Sequence, residues 1–365
     1  MKNTRRSFIT AGAGLGLTAA TIAVPTVAQA QQTFNWKMTS AYPKGAPFYM
    51  SGPGSATDFA KRVKEMSNGR LNIQVYGAGE LIPAFEGFDA VRAGTIEMNH
   101  ANSYFWTGKT FAAQYFTAVP FGMNYQGMNG WLYNGGGLEL WNEVYEPFGM
   151  IAMPCGNTGV QMTGWFKKEV NTVEDLKGLK MRIPGLAGKV LANLGVDVKV
   201  LPGGEIFPAL ERGVIDAAEF VGPYQDRRLG LYKAAKFYYT TGWHEPATTS
   251  ELLINKAAWQ TLPKDLQLIV TNASAACNII SEAWCQKANA EAMQDLVTNL
   301  GVIAKPLPAS IVAALREQTA LVLNESSAKD PMTKKVHDSY FAFKKQYDSW
   351  AAYSEGAYHN TVRAS

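Results

Sequence analysis

Twice along this chain, strand-length apolar runs alternate with helix-length amphipathic runs, and glycines close the helices. That alternation marks β-α-β units and points to sheets built around parallel strands. In the first pass residues 34–40 read as strand, 48–67 as helix stopped by Asn68-Gly69, and 71–76 as an alternating strand. Residues 83–93 then read as helix stopped by Gly94, and 95–100 as strand. The second pass opens at Thr172-Val173-Glu174-Asp175, whose spacing resembles a capping box, with a short helix ended by Gly178. Strands follow at 179–183, 196–201 and 214–220, separated by helices at 185–194 and 205–212, with Gly213 as a stop. The joints share wording: Val91-Arg92-Ala93-Gly94-Thr95-Ile96-Glu97 resembles Leu210-Glu211-Arg212-Gly213-Val214-Ile215-Asp216, which supports two similar lobes.

A chain of 365 residues has room for two such lobes. The first 30 residues read as an export signal. Thr4-Arg5-Arg6-Ser7-Phe8-Ile9 is a twin-arginine pattern, a small Ala/Gly/Leu-rich region follows, and Ala28-Gln29-Ala30 is a small-x-small cleavage site. The glycine-rich Gly12–Gly16 stretch falls in the removed peptide and is no nucleotide loop. Removal of Lys2, Arg5 and Arg6 lowers the formal charge from +4 to +1, so nothing argues for nucleic acid or an anionic membrane as partner. No mature segment has the uninterrupted apolar length of a membrane span.

Cys155, Cys277 and Cys285 are odd in number, so at least one is unpaired in a monomer. On one helix Cys277 and Cys285 stand about 12 Å apart, too far for a disulfide. No Cys/His ligand spacing occurs, and the four histidines are scattered. The aromatic and glycine-rich stretch 104–145 lies between the lobes, with Tyr104 and Trp106 directly after the strand ending at His100. Residues 263–299 contain no internal Gly or Pro. They read as one helix of roughly 55 Å touching both lobes, or as two shorter helices with a bend. In the helical tail Tyr340, Phe343, Tyr347 and Trp350 form one aromatic face, which either packs on its own body or meets a second subunit.

Candidate site residues cluster at strand ends, where open α/β sheets bind ligands. Arg182 stands near the C-terminal end of the strand stopped by Pro184-Gly185, and a guanidinium there is suited to clamp one carboxylate through parallel N–H donors. Glu219 holds the same place in its own unit, just before Gly222-Pro223. Glu245 follows Trp243-His244 at an expected crossing between lobes, and Gln161 sits in the polar loop Gly156-Asn157-Thr158-Gly159-Val160-Gln161. Two carboxylates, an amide oxygen and nearby carbonyls make an all-oxygen set suited to Ca²⁺ or Na⁺ rather than zinc or copper.

At these residues the chain resembles the periplasmic solute-binding proteins of TRAP transporters, over essentially the whole mature length. It is most similar to the branch that binds α-keto acids and related 2-hydroxy acids through a cation. Carrying the resemblance are Gly156-Asn157-Thr158-Gly159-Val160-Gln161-Met162, Gly164-Trp165-Phe166, Leu176-Lys177-Gly178-Leu179-Lys180-Met181-Arg182, Ala209-Leu210-Glu211-Arg212-Gly213 with Ile215-Asp216-Ala217, and Val221-Gly222-Pro223-Tyr224. The resemblance implies that Arg182 pairs with the substrate carboxylate. It implies further that Gln161, Glu219, the main-chain carbonyl of Phe220 and Glu245 hold the cation, with Asn157 and Tyr104 as second substrate contacts. Two departures stand out: the branch often has Trp where Phe220 stands, and Trp-Trp-Glu in place of Trp243-His244-Glu245.

The expected fold class is therefore α/β, a two-lobed periplasmic binding protein, each lobe a β-α-β sheet unit, with a long lobe-spanning helix and C-terminal helices. Lobe I takes 31–153 and 246–275, lobe II takes 154–245 and 276–308, and 309–365 forms C-terminal helices expected to support a homodimer. The expected function is capture of a small 2-oxo or 2-hydroxy monocarboxylate, with a Na or Ca cation, for delivery to TRAP membrane permease subunits. Without the cation, two glutamates would repel an anionic substrate; with it, repulsion becomes chelation. Two rival readings are a secreted metal-dependent enzyme acting on 2-oxo acids, with His244 as its base, and a sensor domain.

Overall fold

The computed structural model describes residues 32–363, so the expected signal over 1–30 lies outside the described residues. Two sheets organise the chain. The first contains β1 (Phe34–Ser40), β2 (Leu71–Tyr76), β3 (Met98–Ala101) and β4 (Met150–Asn157). The second takes β5 (Gly164–Phe166), β6 (Lys180–Arg182), β7 (Asp197–Lys199), β8 (Ala217–Ala218) and β9 (Phe237–Tyr239). The chain then returns to the first sheet as β10 (Thr249–Asn255) and ends in the second as β11 (Ile303–Lys305). The strand orders are β2-β1-β3-β10-β4 and β11-β9-β5-β8-β6-β7.

Each sheet holds the same parallel triplet. β1 lies between β2 and β3, and β6 lies between β7 and β8. An antiparallel strand follows on the third member in both, β10 on β3 and β5 on β8. The repeated helix-glycine-strand joints thus correspond to one repeated topology. β1 shows why the register holds: Phe34, Trp36 and Met38 are buried while Asn35 and Lys37 are exposed, so a one-residue slip would expose its apolar set.

Local differences from the sequence reading have local causes. The first helix is Ala56–Met66, not 48–67; Ser55 caps it by accepting from the Asp58 amide. Residues 48–55 instead fold as a turn in which Phe48 has φ 72° and Gly54 φ +75°. A Cβ on Gly54 would lie 2.6 Å from the Cys277 carbonyl oxygen, because this turn is pressed onto the long helix. The helix expected at 83–93 is ordered as Gly87–Arg92, and the strand expected at 214–220 pairs only over β8. β4 runs on to Asn157, so Gly156-Asn157 lies in sheet rather than loop.

Of the two readings for 263–299, the single helix holds: Lys264–Thr298 is continuous, about 52 Å long. Its buried stripe is mostly small residues, including Ala273, Ser274, Cys277, Ser281, Cys285, Ala288 and Ala292, which let other backbones approach. Near its start Ser274 Oγ donates to the Pro154 carbonyl at 2.7 Å, and the Asn157 amide donates to Ser281 Oγ at 2.9 Å. Further along, Asn289 Oδ1 accepts from the Tyr224 amide at 3.0 Å and Asp295 pairs with Arg227 at 2.7 Å. The helix therefore touches elements of both lobes. All three cysteines are free and buried.

The C-terminal helices are Ala309–Ser327 and Pro331–Tyr353, the second capped by Asp330. Its aromatic face divides. Tyr340 is buried edge-on against Trp131, and Phe343 and Tyr347 sit over the glycines of Tyr125–Asn134 and its C-cap Gly135. Trp350, by contrast, is 66% exposed.

A buried carboxylate anchors the first sheet. Glu251 on β10 accepts from Trp106 Nε1 at 2.8 Å, Trp141 Nε1 at 3.2 Å and the Tyr145 hydroxyl at 2.7 Å. Burial pushes its carboxyl up to about 7 against the pull of these donors. A carboxyl raised on folding stabilises the fold less as pH rises from its ordinary range toward 7, and the loss levels off above that. We expect Glu251→Ala to cost about 3–5 kcal/mol, since it strands three buried donors. We also expect the stability difference between wild type and Glu251→Gln to fall by up to about 3 kcal/mol from pH 4.5 to pH 8, measured by denaturant unfolding.

Candidate functional site

β1 and β6 are the central strands of the two parallel triplets, and the site gathers beyond their carboxyl ends. Arg182 is the last residue of β6. Its Nη1 donates to the Glu219 carbonyl at 2.6 Å and to Glu219 Oε2 at 2.9 Å, and its Nε donates to the Leu201 carbonyl at 3.2 Å. The Glu219 amide donates back to the Arg182 carbonyl at 3.0 Å, so the two residues are bound through both backbone and side chains. Both are buried. In the structure Arg182 thus holds a carboxylate of its own chain, and Nη2 is the guanidinium nitrogen outside these bonds.

Glu219 Oε1 has no hydrogen-bond partner among the described residues and lies 3.6 Å from His244 Nε2. Burial pushes the Glu219 carboxyl up to about 7, against the pull of Arg182. Glu245 is raised to about 7 first by burial and then by the charge of Glu219. His244 is pushed down to about 4 by burial, so its contact with Glu219 is no ion pair at neutral pH.

Gln161 joins this group through Thr248. Its Nε2 donates to Thr248 Oγ1 at 2.8 Å and to Thr158 Oγ1 at 3.2 Å, while the Thr248 hydroxyl donates to Glu245 Oε2. The Gln161 amide N–H donates to the Glu245 carbonyl at 3.0 Å. With Nε2 committed, Gln161 Oε1 is left buried and without a partner. Two orphaned buried oxygens, on Gln161 and Glu219, are costly unless something electropositive meets them. An oxygen-seeking cation fits both. Ionised, Glu219 and Glu245 outweigh Arg182 by one negative charge, so the group favours a cation even before an anionic ligand arrives.

Phe220 is buried, with its ring 5.9 Å from the Arg182 guanidinium and 6.3 Å from the Tyr49 ring. Tyr104 is buried; its hydroxyl accepts from Asn102 Nδ2 at 2.7 Å, and its ring packs on Gly185 at the start of the helix after β6. Asn157 is buried, but its amide is engaged: Oδ1 accepts from the Gly159 amide at 2.9 Å, and Nδ2 donates to Thr249 Oγ1 at 3.1 Å. It shapes the turn that carries Gln161.

Sequence reasoning missed several members. Tyr42 follows β1 by two residues, stacks on Tyr49 at 3.5 Å, and has a buried hydroxyl without a partner. Burial raises its hydroxyl well above the ordinary range, ahead of opposing contacts with Tyr49 and Arg182. Its place beyond a central strand was the available signal. Asp226 was also missed: Oδ2 accepts from Trp165 Nε1 and the Tyr238 hydroxyl, both at 2.9 Å, and Oδ1 from the Val221 amide at 3.2 Å. It holds the backbone next to Phe220. No local pattern announced it.

Known proteins share the sequence and the fold. Residues 52–330 match the family described as bacterial extracellular solute-binding protein, family 7. A monocarboxylate 2-oxoacid-binding periplasmic protein of Nostoc sp. is 46% identical over 90% of this chain and 89% of its own. A TRAP periplasmic solute-binding protein of Pseudoalteromonas atlantica, with bound sodium and pyruvate, superposes with a TM-score of 0.87 at 41% identity, covering 91% of this chain and all of that one. The corresponding protein of Colwellia psychrerythraea, with bound calcium and pyruvate, gives 0.86 at 42% identity over the same shares.

The buried ion pair can be tested without any ligand. Arg182→Met removes the partner of a buried carboxylate and is expected to cost about 3–5 kcal/mol at pH 8. The cost should shrink at pH 5, where Glu219 takes a proton, and Arg182→Met/Glu219→Gln should recover part of it. Denaturant unfolding at both pH values reads this directly.

Proposed function

This chain belongs to family 7 of the bacterial extracellular solute-binding proteins, the extracytoplasmic receptors of TRAP transporters, and on that premise we propose that it captures a pyruvate- or lactate-like acid. The ligand class is a small 2-oxo or 2-hydroxy monocarboxylate, bound with Na⁺ or Ca²⁺ and delivered to the membrane permease. The observation that carries the reading is the pair of buried, unpartnered oxygens, Gln161 Oε1 and Glu219 Oε1, grouped with Arg182 and Glu245. The relatives named above bind 2-oxo acids, two of them with such a cation.

In this reading Gln161, Glu219, Glu245 and the Phe220 carbonyl hold the cation, which supplies the positive charge that lets an anion enter beside two glutamates. Arg182 meets the substrate carboxylate through Nη2 while keeping Glu219 in place through Nη1. Tyr104 and Asn157 wall the pocket; the engaged amide of Asn157 leaves it a supporting part. The lobe expected over 31–153 with 246–275 takes in β4 to its end at Asn157, the other lobe then comprises 158–245 with 276–308, and hinge motion between them admits the ligand. The family is one of binding proteins, and the rival reading of a metal-dependent enzyme finds no support.

Two finer points complete the proposal. Export proceeds through the twin-arginine pattern of the first 30 residues. The C-terminal helices 309–365 support a homodimer, with exposed Trp350 and Tyr353 as its apolar contacts.

A thermal-shift screen tests capture. Pyruvate at 100 times its dissociation constant should add about 2.7 kcal/mol of stability, whereas an unsubstituted fatty acid of equal length should add far less. Arg182→Ala should abolish the shift, and chelator should weaken it where the ion is Ca²⁺. Equal shifts for both acids would overturn the chelate. Light scattering tests the dimer: the mature chain should show twice its own mass, and Trp350→Ser/Tyr353→Ser should return it to one.

A further inference from the structure

Tyr42 enters the site from beyond β1, the central strand of one parallel triplet, as Arg182 does from the end of β6 in the other. Its backbone is fixed on both sides: the amide donates to Ser40 Oγ at 3.2 Å, and the carbonyl accepts from the Ala78 amide at 2.8 Å. Its ring lies flat on Tyr49, with centroids 3.5 Å apart and planes 6° from parallel. The other side of the site closes on the same ring. A Cβ on Gly203, at the start of the helix Gly203–Glu211, would stand 3.9 Å from Tyr42 Cδ1 and 3.0 Å from Phe220 Cε2. Backbone bonds, stack and glycine together hold this ring in one place.

The hydroxyl at its tip is buried and has no hydrogen-bond partner among the described residues. Tyrosines buried for structural reasons in this molecule do find one: Tyr145 donates to Glu251 at 2.7 Å, and Tyr238 donates to Asp226 at 2.9 Å. The charged groups that act on the Tyr42 hydroxyl are Arg182 and Glu245, so it looks onto the same space as the guanidinium. Burial keeps the phenol protonated, which makes it a donor in want of an acceptor. A stranded buried hydroxyl costs stability unless the protein's task supplies the missing partner. An anionic ligand beside Arg182 brings that partner.

We propose that the Tyr42 hydroxyl donates to the carboxylate of the bound acid, so that the acid is gripped by Arg182 from the second sheet and by Tyr42 from the first. This rests on the capture reading above and adds a binding residue to it. Because the two donors belong to different sheets, both reach one carboxylate only when the sheets approach each other. The acid's charged end thereby ties the two halves of the site together.

The test uses the mature chain and Tyr42→Phe, which keeps the ring and its stack and removes one oxygen. Both proteins are titrated calorimetrically with pyruvate and with L-lactate, in saturating NaCl and in saturating CaCl₂. Tyr42→Phe should weaken both acids by about 10- to 100-fold, because they share the carboxylate and differ only at the second carbon. Without ligand, Tyr42→Phe should unfold at the same denaturant concentration as wild type or a higher one, since no bond is lost and a stranded hydroxyl is removed. A role in packing alone would move that second measurement the opposite way. Affinity within about threefold of wild type, a loss confined to pyruvate, or a loss matched by lower ligand-free stability would each overturn the contact. The wild-type titration tests the capture reading separately: if pyruvate bound with neither cation, that reading would fall and the contact with it.

Discussion

A guanidinium and a carboxylate, both removed from water, hold the centre of this molecule together. Arg182 ends β6, Glu219 directly follows the neighbouring β8, and the two are joined through the backbone as well as by the side-chain pair. Burial of two charges is expensive, and their mutual attraction repays it only when the remaining donors are also satisfied. Here the Leu201 and Glu219 carbonyls take two further guanidinium bonds, which fixes its plane. The second Glu219 oxygen is left facing His244 and Glu245, where the pair alone cannot satisfy it. One oxygen of this side chain thus holds the fold, while the other is left without a hydrogen-bond partner among the described residues.

Duplicated topology explains why this happens where it does. Both sheets place the first strand of a β-α-β-α-β run in the middle of a parallel triplet, so Tyr42 beyond β1 and Arg182 at the end of β6 occupy equivalent positions. One buried carboxyl received by aromatic donors stands on the first sheet, Glu251 of β10, and another on the helix Pro223–Leu229 beside the second sheet, Asp226. Glu251 takes two tryptophans and a tyrosine, and Asp226 takes a tryptophan, a tyrosine and the Val221 amide. Both carboxyls are pushed up to about 7 by burial, against those donors. Such pairs fix the orientation of large rings that apolar packing alone would leave freer. The long helix Lys264–Thr298 runs along β4 of the first sheet and the helix Pro223–Leu229 with a stripe of small side chains, so close backbone contact rather than bulky interdigitation ties it in.

Much of this was written in local pattern. The strands 34–40 and 71–76, the continuous helix and the strand-end places of Arg182 and Glu219 follow from alternation, from the absence of Gly and Pro, and from short-range stop signals. These rest on interactions between residues close in the chain. Sequence order also determined that two similar units exist, because the same helix-glycine-strand joint occurs in each.

Other features needed the tertiary structure. The turn at 48–55 looked helical by periodicity but is bent by contact with Cys277, over 200 residues away. Asn157 looked like a ligand residue, yet its amide is consumed by Gly159 and Thr249. Tyr42 and Asp226 entered the site or its support only once distant segments met. Sequence alone determined which chemical groups stand at strand ends, because backbone periodicity is local. Which atoms of those groups remain unpartnered, and so define the ion and the acid they can hold, was decided by long-range packing.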